Sequence, residues 1–69
     1  MSKYLIMPEG CKWYEVERPV KDLESVYRME CSFFTPSTRV CIRDVNSGAV
    51  EIFSRSLESN GNIKEVNRL

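Results

Sequence analysis

Sixty-nine residues, 42% of them hydrophobic, with ten basic side chains balancing ten acidic ones, make one small domain. A formal net charge of +0 argues against strong long-range attraction of the whole molecule to nucleic acid or anionic lipid. Histidine is absent, which removes the usual general base, the commonest metal ligand and the ordinary partner of a nucleophilic serine or cysteine.

The chain opens on Lys3-Tyr4-Leu5-Ile6-Met7, a short apolar run stopped by Pro8. A secretory signal needs an apolar stretch of about 7–15 residues and a small-residue cleavage site, and neither is seen. No run approaches the ~20 apolar residues of a membrane span. A soluble, cytoplasmic chain is the expectation. Lys12 to Glu17 alternates, with Tyr14 and Val16 on one side and Trp13, Glu15 and Glu17 on the other. These segments predict a first hairpin turning over roughly Pro8 to Cys11.

Pro19 suits the first turn of a helix. From there Val20, Leu23, Tyr27, Cys31 and Phe34 recur at spacings of three or four, and Val26, Met29 and Phe33 widen the stripe. That is the pattern of an amphipathic helix lying on a sheet, predicted over Pro19 to about Phe33. Asp22 and Glu24 fall where the helix dipole favours carboxylates, and Glu24 and Arg28 form an i, i+4 pair. Thr35-Pro36-Ser37 ends the element, because a residue before proline avoids the α region.

Thr38 to Leu57 predicts a second hairpin around Asn46-Ser47-Gly48, with Gly48 at positive φ. A three-residue turn sets Arg43 opposite Glu51 and Ile42 opposite Ile52, matching charge with charge and branched with branched. Val40, Ile42, Val50 and Ile52 then point inward. Arg39, Cys41, Arg43, Glu51, Phe53, Arg55 and Leu57 occupy the outer face. Beyond them, Glu58 to Asn62 is a turn signal. Ile63 to Leu69 is expected to form a partly ordered tail or a short edge strand.

The order ββαββ predicts an α+β domain: one helix across one face of a four-stranded antiparallel sheet, with a possible short fifth C-terminal strand. Residues 1–58 are expected to form the domain and 59–69 the turn and tail. No repeat, low-complexity tract or linker divides the chain.

Candidate chemistry is sparse. Cys11, Cys31 and Cys41 are odd in number and widely spaced, which favours reduced thiols over a disulfide scaffold. Without histidine they make a poor zinc site, since structural zinc takes four ligands. Cys41, between Arg39 and Arg43, is the one thiol with a suggestive setting, and a half-buried apolar role suits it better. Glu15 and Glu17, like Glu9, read as solvated strand and turn carboxylates rather than an acid–base pair. Gly10, Gly48 and Gly61 are isolated turn residues, not a phosphate loop. No catalytic residue, metal site, cofactor or small-molecule substrate is expected.

The outer sheet face is the better candidate. Arg39, Arg43 and Arg55 surround Phe53, with Trp13 on the first hairpin, a composition enriched at protein interfaces. The expected function is non-catalytic protein binding, or self-association, through that face. Size and the lack of catalytic groups are shared with small inhibitors and adaptors of phages and mobile elements, such as anti-CRISPR proteins. A single-stranded nucleic-acid platform is the alternative, since such platforms also combine arginine with exposed aromatics. Glu51 in the patch and the balanced charge oppose it.

Overall fold

A computed structural model describes residues 2–69. The elements are β1 (Ser2–Pro8), β2 (Tyr14–Arg18), α1 (Leu23–Glu30), a 3-10 turn (Cys31–Phe33), β3 (Val40–Asp44), β4 (Val50–Leu57) and β5 (Ile63–Arg68). The strands form one antiparallel sheet in the order β2-β1-β3-β4-β5. Helix α1 packs on β3 and β4. The domain is α+β, as the alternation and the helical stripe imply, and its sheet has five strands rather than four.

Hairpin β1–β2 follows its alternation. Tyr14 pairs with Ile6 and Val16 with Tyr4, so these four share the helix side, while Glu15 and Glu17 point away from it. The turn closes with the Cys11 N–H donating to the Pro8 carbonyl at 2.9 Å.

The helix starts at Leu23, not at Pro19. Asp22 is extended (φ −116, ψ 150) and its carboxylate accepts the Ser25 N–H at 3.0 Å and the Ser25 hydroxyl at 2.8 Å. An aspartate that satisfies a free N–H of the first turn outranks a proline three residues upstream as a start signal. Pro19 and Val20 instead connect strand to helix, held by the Tyr4 hydroxyl donating to the Val20 carbonyl at 2.6 Å. Leu23, Val26, Tyr27 and Glu30 face the sheet. Met29 and Phe33 lie outside the buried stripe, Phe33 being 75% exposed. Thr35-Pro36-Ser37 then carries the chain to β3, with Ser37 at φ 73 and its N–H donating to the Arg55 carbonyl at 3.0 Å.

Hairpin β3–β4 departs from expectation by one residue. Arg43 lies opposite Val50 rather than Glu51, and Ile42 opposite Glu51 rather than Ile52. The loop has four residues, Val45 to Gly48, because Asp44 donates its N–H to the Ala49 carbonyl at 2.9 Å and accepts from Gly48 N–H at 2.8 Å. The Asp44 carboxylate also accepts the N–H groups of Asn46 (2.8 Å) and Ser47 (3.2 Å). An aspartate bonding to backbone two residues on is a turn builder in its own right, and here it starts the loop one residue early. Gly48 still takes positive φ (79).

A one-residue shift turns every β4 side chain to the other face. Phe53 and Arg55, expected outside, are buried on the helix side, and Val50 and Ile52 point outward, 51% and 37% exposed. Packing favours this register. Phe53 stacks on Tyr27 with ring centroids 5.3 Å apart, and the Arg55 guanidinium donates to the Cys31 carbonyl at the end of the helix. A buried aromatic brings more apolar area than valine or isoleucine, and a capped carbonyl satisfies an otherwise orphan acceptor.

The core comprises Tyr4, Ile6, Leu23, Val26, Tyr27, Cys31, Val40, Ile42 and Phe53. Residues 63–68 complete the sheet as β5. Arg68 fastens that strand: it pairs with Glu24 on α1 (3.3 Å) and Glu51 on β4 (3.4 Å), and its guanidinium lies 5.8 Å from the Phe53 ring centroid.

Candidate binding face

The face opposite the helix is built by the residues that alternate with the core. On β1, Leu5 and Met7 alternate with Tyr4 and Ile6; on β3, Cys41 and Arg43 alternate with Val40 and Ile42; on β4, Val50 and Ile52 flank Glu51. The registers place Met7 beside Cys41 and Cys41 beside Ile52. Leu69 extends the line, its N–H donating to the Ile52 carbonyl at 2.8 Å. An apolar row, Met7, Cys41, Ile52 and Leu69, thus crosses three strands and reaches the residue after β5. A second row runs Glu15, Leu5, Arg43, Val50.

Charge borders these rows. Glu17 lies opposite Lys3 at one end of the β1–β2 ladder. Arg39 precedes β3 and is exposed, as is Arg43. Trp13, just ahead of β2, is 45% exposed.

Three of the five expected contact residues, Trp13, Arg39 and Arg43, are thus at the surface. The other two, Phe53 and Arg55, lie beneath the helix and cannot be reached without opening the core. In their place stand Leu5, Met7, Val50 and Ile52. One signal for the β1 pair was present in the chain: Tyr4 to Met7 is apolar at every position, and a strand without polar alternation has two faces to cover. For Val50 and Ile52 no such signal existed, since the face they occupy depends on the length of the Asp44 loop.

Cys31 is buried, its thiol directed at the Arg28 carbonyl (3.4 Å), Cys41 is half-buried, Cys11 is exposed, and all three are free. Among the described residues no group of three or more His, Cys, Asp or Glu side chains comes together as metal ligands. No described helix is long and apolar enough to cross a membrane. Burial raises the pKa of the Tyr27 phenol, and burial together with the nearby Glu30 charge raises that of Tyr14. Hydrogen bonds from the Ser25 hydroxyl and N–H hold the Asp22 carboxyl below its usual range. No protein-family model, curated protein or solved structure matches this chain.

Proposed function

We propose that this chain is a non-catalytic binding protein that docks a protein partner on its open sheet face. The observation that carries this reading is the apolar row Met7, Cys41, Ile52 and Leu69, left uncovered by the helix, with Arg43 on the same face of β3 and with Arg39 and Trp13 exposed just ahead of β3 and β2. Contiguous exposed apolar surface rimmed by polar groups marks interaction sites. Arginine and tryptophan at its margin are the residue types enriched where interfaces concentrate their energy. The absence of histidine supports a role without catalysis. An intracellular inhibitor or adaptor, of the kind phages and mobile elements carry, fits such a compact chain.

The single-stranded nucleic-acid alternative is weaker. Phe53, the central stacking aromatic in that scheme, is buried, and Glu15 and Glu17 lie on the same face as the arginines. The test is capture of partner from the native host by wild type and by Ile52→Glu, with thermal melts of both. Loss of capture with an unchanged melt supports the face as the site. Capture that persists in Ile52→Glu and in Met7→Glu rejects it. Binding that collapses between about 50 and 200 mM salt points to phosphate contact instead.

A further inference from the structure

The helix lies over β3 and β4 and leaves the helix side of β2 partly uncovered. The result is a cleft of about 460 Å³ lined by Tyr14, Val16, Arg18, Glu30, Phe33 and Phe34. Its walls are almost entirely apolar atoms, and Phe33 is among the most exposed apolar side chains of the molecule. Inside it, Arg18 pairs with Glu30, which is only 2% exposed.

The cleft adjoins a free sheet edge. Backbone groups of Lys3 and Glu9 bond toward β3 and its flanking residues, which assigns the even-numbered residues of β1 to β2. Tyr14, Val16 and Arg18 therefore spend their backbone groups on β1, and the N–H and C=O of Glu15 and Glu17 point outward. Among the described residues no strand covers them. A row of unpaired backbone donors and acceptors is a template for another strand.

The side chains define what that strand must carry. Glu15 faces Leu5 across the ladder rather than a cation, and Glu17 faces Lys3. An added antiparallel strand places residues directly opposite Glu15 and Glu17 on the open face, where like charge is destabilising and opposite charge stabilising. The residue between them lies opposite Val16, on the helix side, at the cleft beneath Phe33 and Phe34. A second copy joined through its own β2 edge does not meet those demands. Every antiparallel register joining two β2 edges through their outward-facing residues sets glutamate against glutamate.

We propose that the β2 edge and its adjoining cleft are a strand-addition site for an extended peptide of a partner protein with the pattern basic–apolar–basic. The backbone ladder supplies affinity, and the cleft and the two glutamates supply selectivity, as in other β-augmentation modes. This site is separate from the open-face row.

The probe is the blocked peptide Thr-Glu-Lys-Phe-Lys-Leu-Thr, which sets its lysines against Glu17 and Glu15 and its phenylalanine against Val16. Titration into the isotope-labelled protein should slow amide hydrogen exchange at Glu15 and Glu17 and shift the Phe33 and Phe34 ring resonances. The same peptide with both lysines replaced by glutamate should bind at least about tenfold more weakly. Glu15→Lys should weaken the first peptide and strengthen the acidic one. Glu15→Pro should reduce binding of both, since it removes an outward donor while sparing the bonds to β1. Ile52→Glu should leave peptide binding unchanged, which separates this site from the open face. The proposal is overturned by no saturable binding at about 1 mM peptide, by binding that leaves Glu15 and Glu17 exchange unaltered, or by peptide-free self-association that protects the same amides.

Discussion

The two hairpins are built from strands of similar length but differ in how their faces are specified. In β1–β2 the outer strand alternates strictly: Tyr14 and Val16 are opposed by Glu15 and Glu17, and only one face can be turned to a core. In β3–β4 the second strand carries Val50, Ile52 and Glu51, Phe53 in alternation, so either face offers apolar bulk. Matching side chains across the ladder then cannot decide the register. Asp44 decides it locally by opening a four-residue loop, and Tyr27 decides it globally by stacking on Phe53. Where both faces of a strand are apolar, turn chemistry and the shape of the opposing helix outweigh pair matching.

The contrast between neighbours on β4 is the most direct way to break this account. Phe53→Ala should cost about 3–5 kcal/mol, the range for deleting a buried aromatic, whereas Ile52→Ala should cost about 1 kcal/mol or less. Equal losses in denaturant unfolding, or a larger loss at Ile52, would reverse the two faces. The loop gives the next largest effect. Gly48→Val should lose more than ~1 kcal/mol, because a β-branched residue is strained at positive φ. A neutral result would mean that the loop is built differently.

Helix entry sharpens the same comparison between local signals. Asp22→Ala should cost about 1 kcal/mol at neutral pH through the lost cap. The Asp22 carboxyl is held below its unfolded value, so its contribution is present above the unfolded carboxylate range and is lost as pH falls through the folded value. Asp22→Asn should flatten the acid limb of the stability profile relative to wild type, and an unchanged limb would place the cap elsewhere. Arg68→Ala should have the smallest effect on global stability, about 1 kcal/mol or less, since its ion pairs are largely exposed. Amide exchange should nevertheless quicken selectively in β5. Uniform change across the sheet would mean that Arg68 does not fasten that strand.

Much of the architecture is legible in residue pattern alone. Leu23, Val26 and Tyr27 recur at helical spacing and are buried together, and the Asp22–Ser25 cap accounts for the helix start once its hydrogen bonds are seen. The alternation of Tyr14 to Glu17 assigns faces because each polar residue has only one low-energy side. The β5 strand carries a weaker signal, since Ile63 and Val66 give it little apolar pattern. Its anchor is Arg68, which reaches residues 44 positions away in sequence at Glu24.

Composition and periodicity by themselves determined the α+β class, the ββαββ order as far as Leu57, the helix stripe and the positive φ of Gly48, because each depends on neighbours within one or two turns of chain. Which face of β4 is core, and hence whether Phe53 or Ile52 meets solvent, was decided only by tertiary structure. The same holds for the cleft beneath Phe33 and Phe34, which exists because the helix settles over β3 and β4. Local interactions offer two registers of similar quality. Burying Phe53 against Tyr27 while Arg55 caps the helix end selects one of them, and those contacts form only when distant segments are packed together.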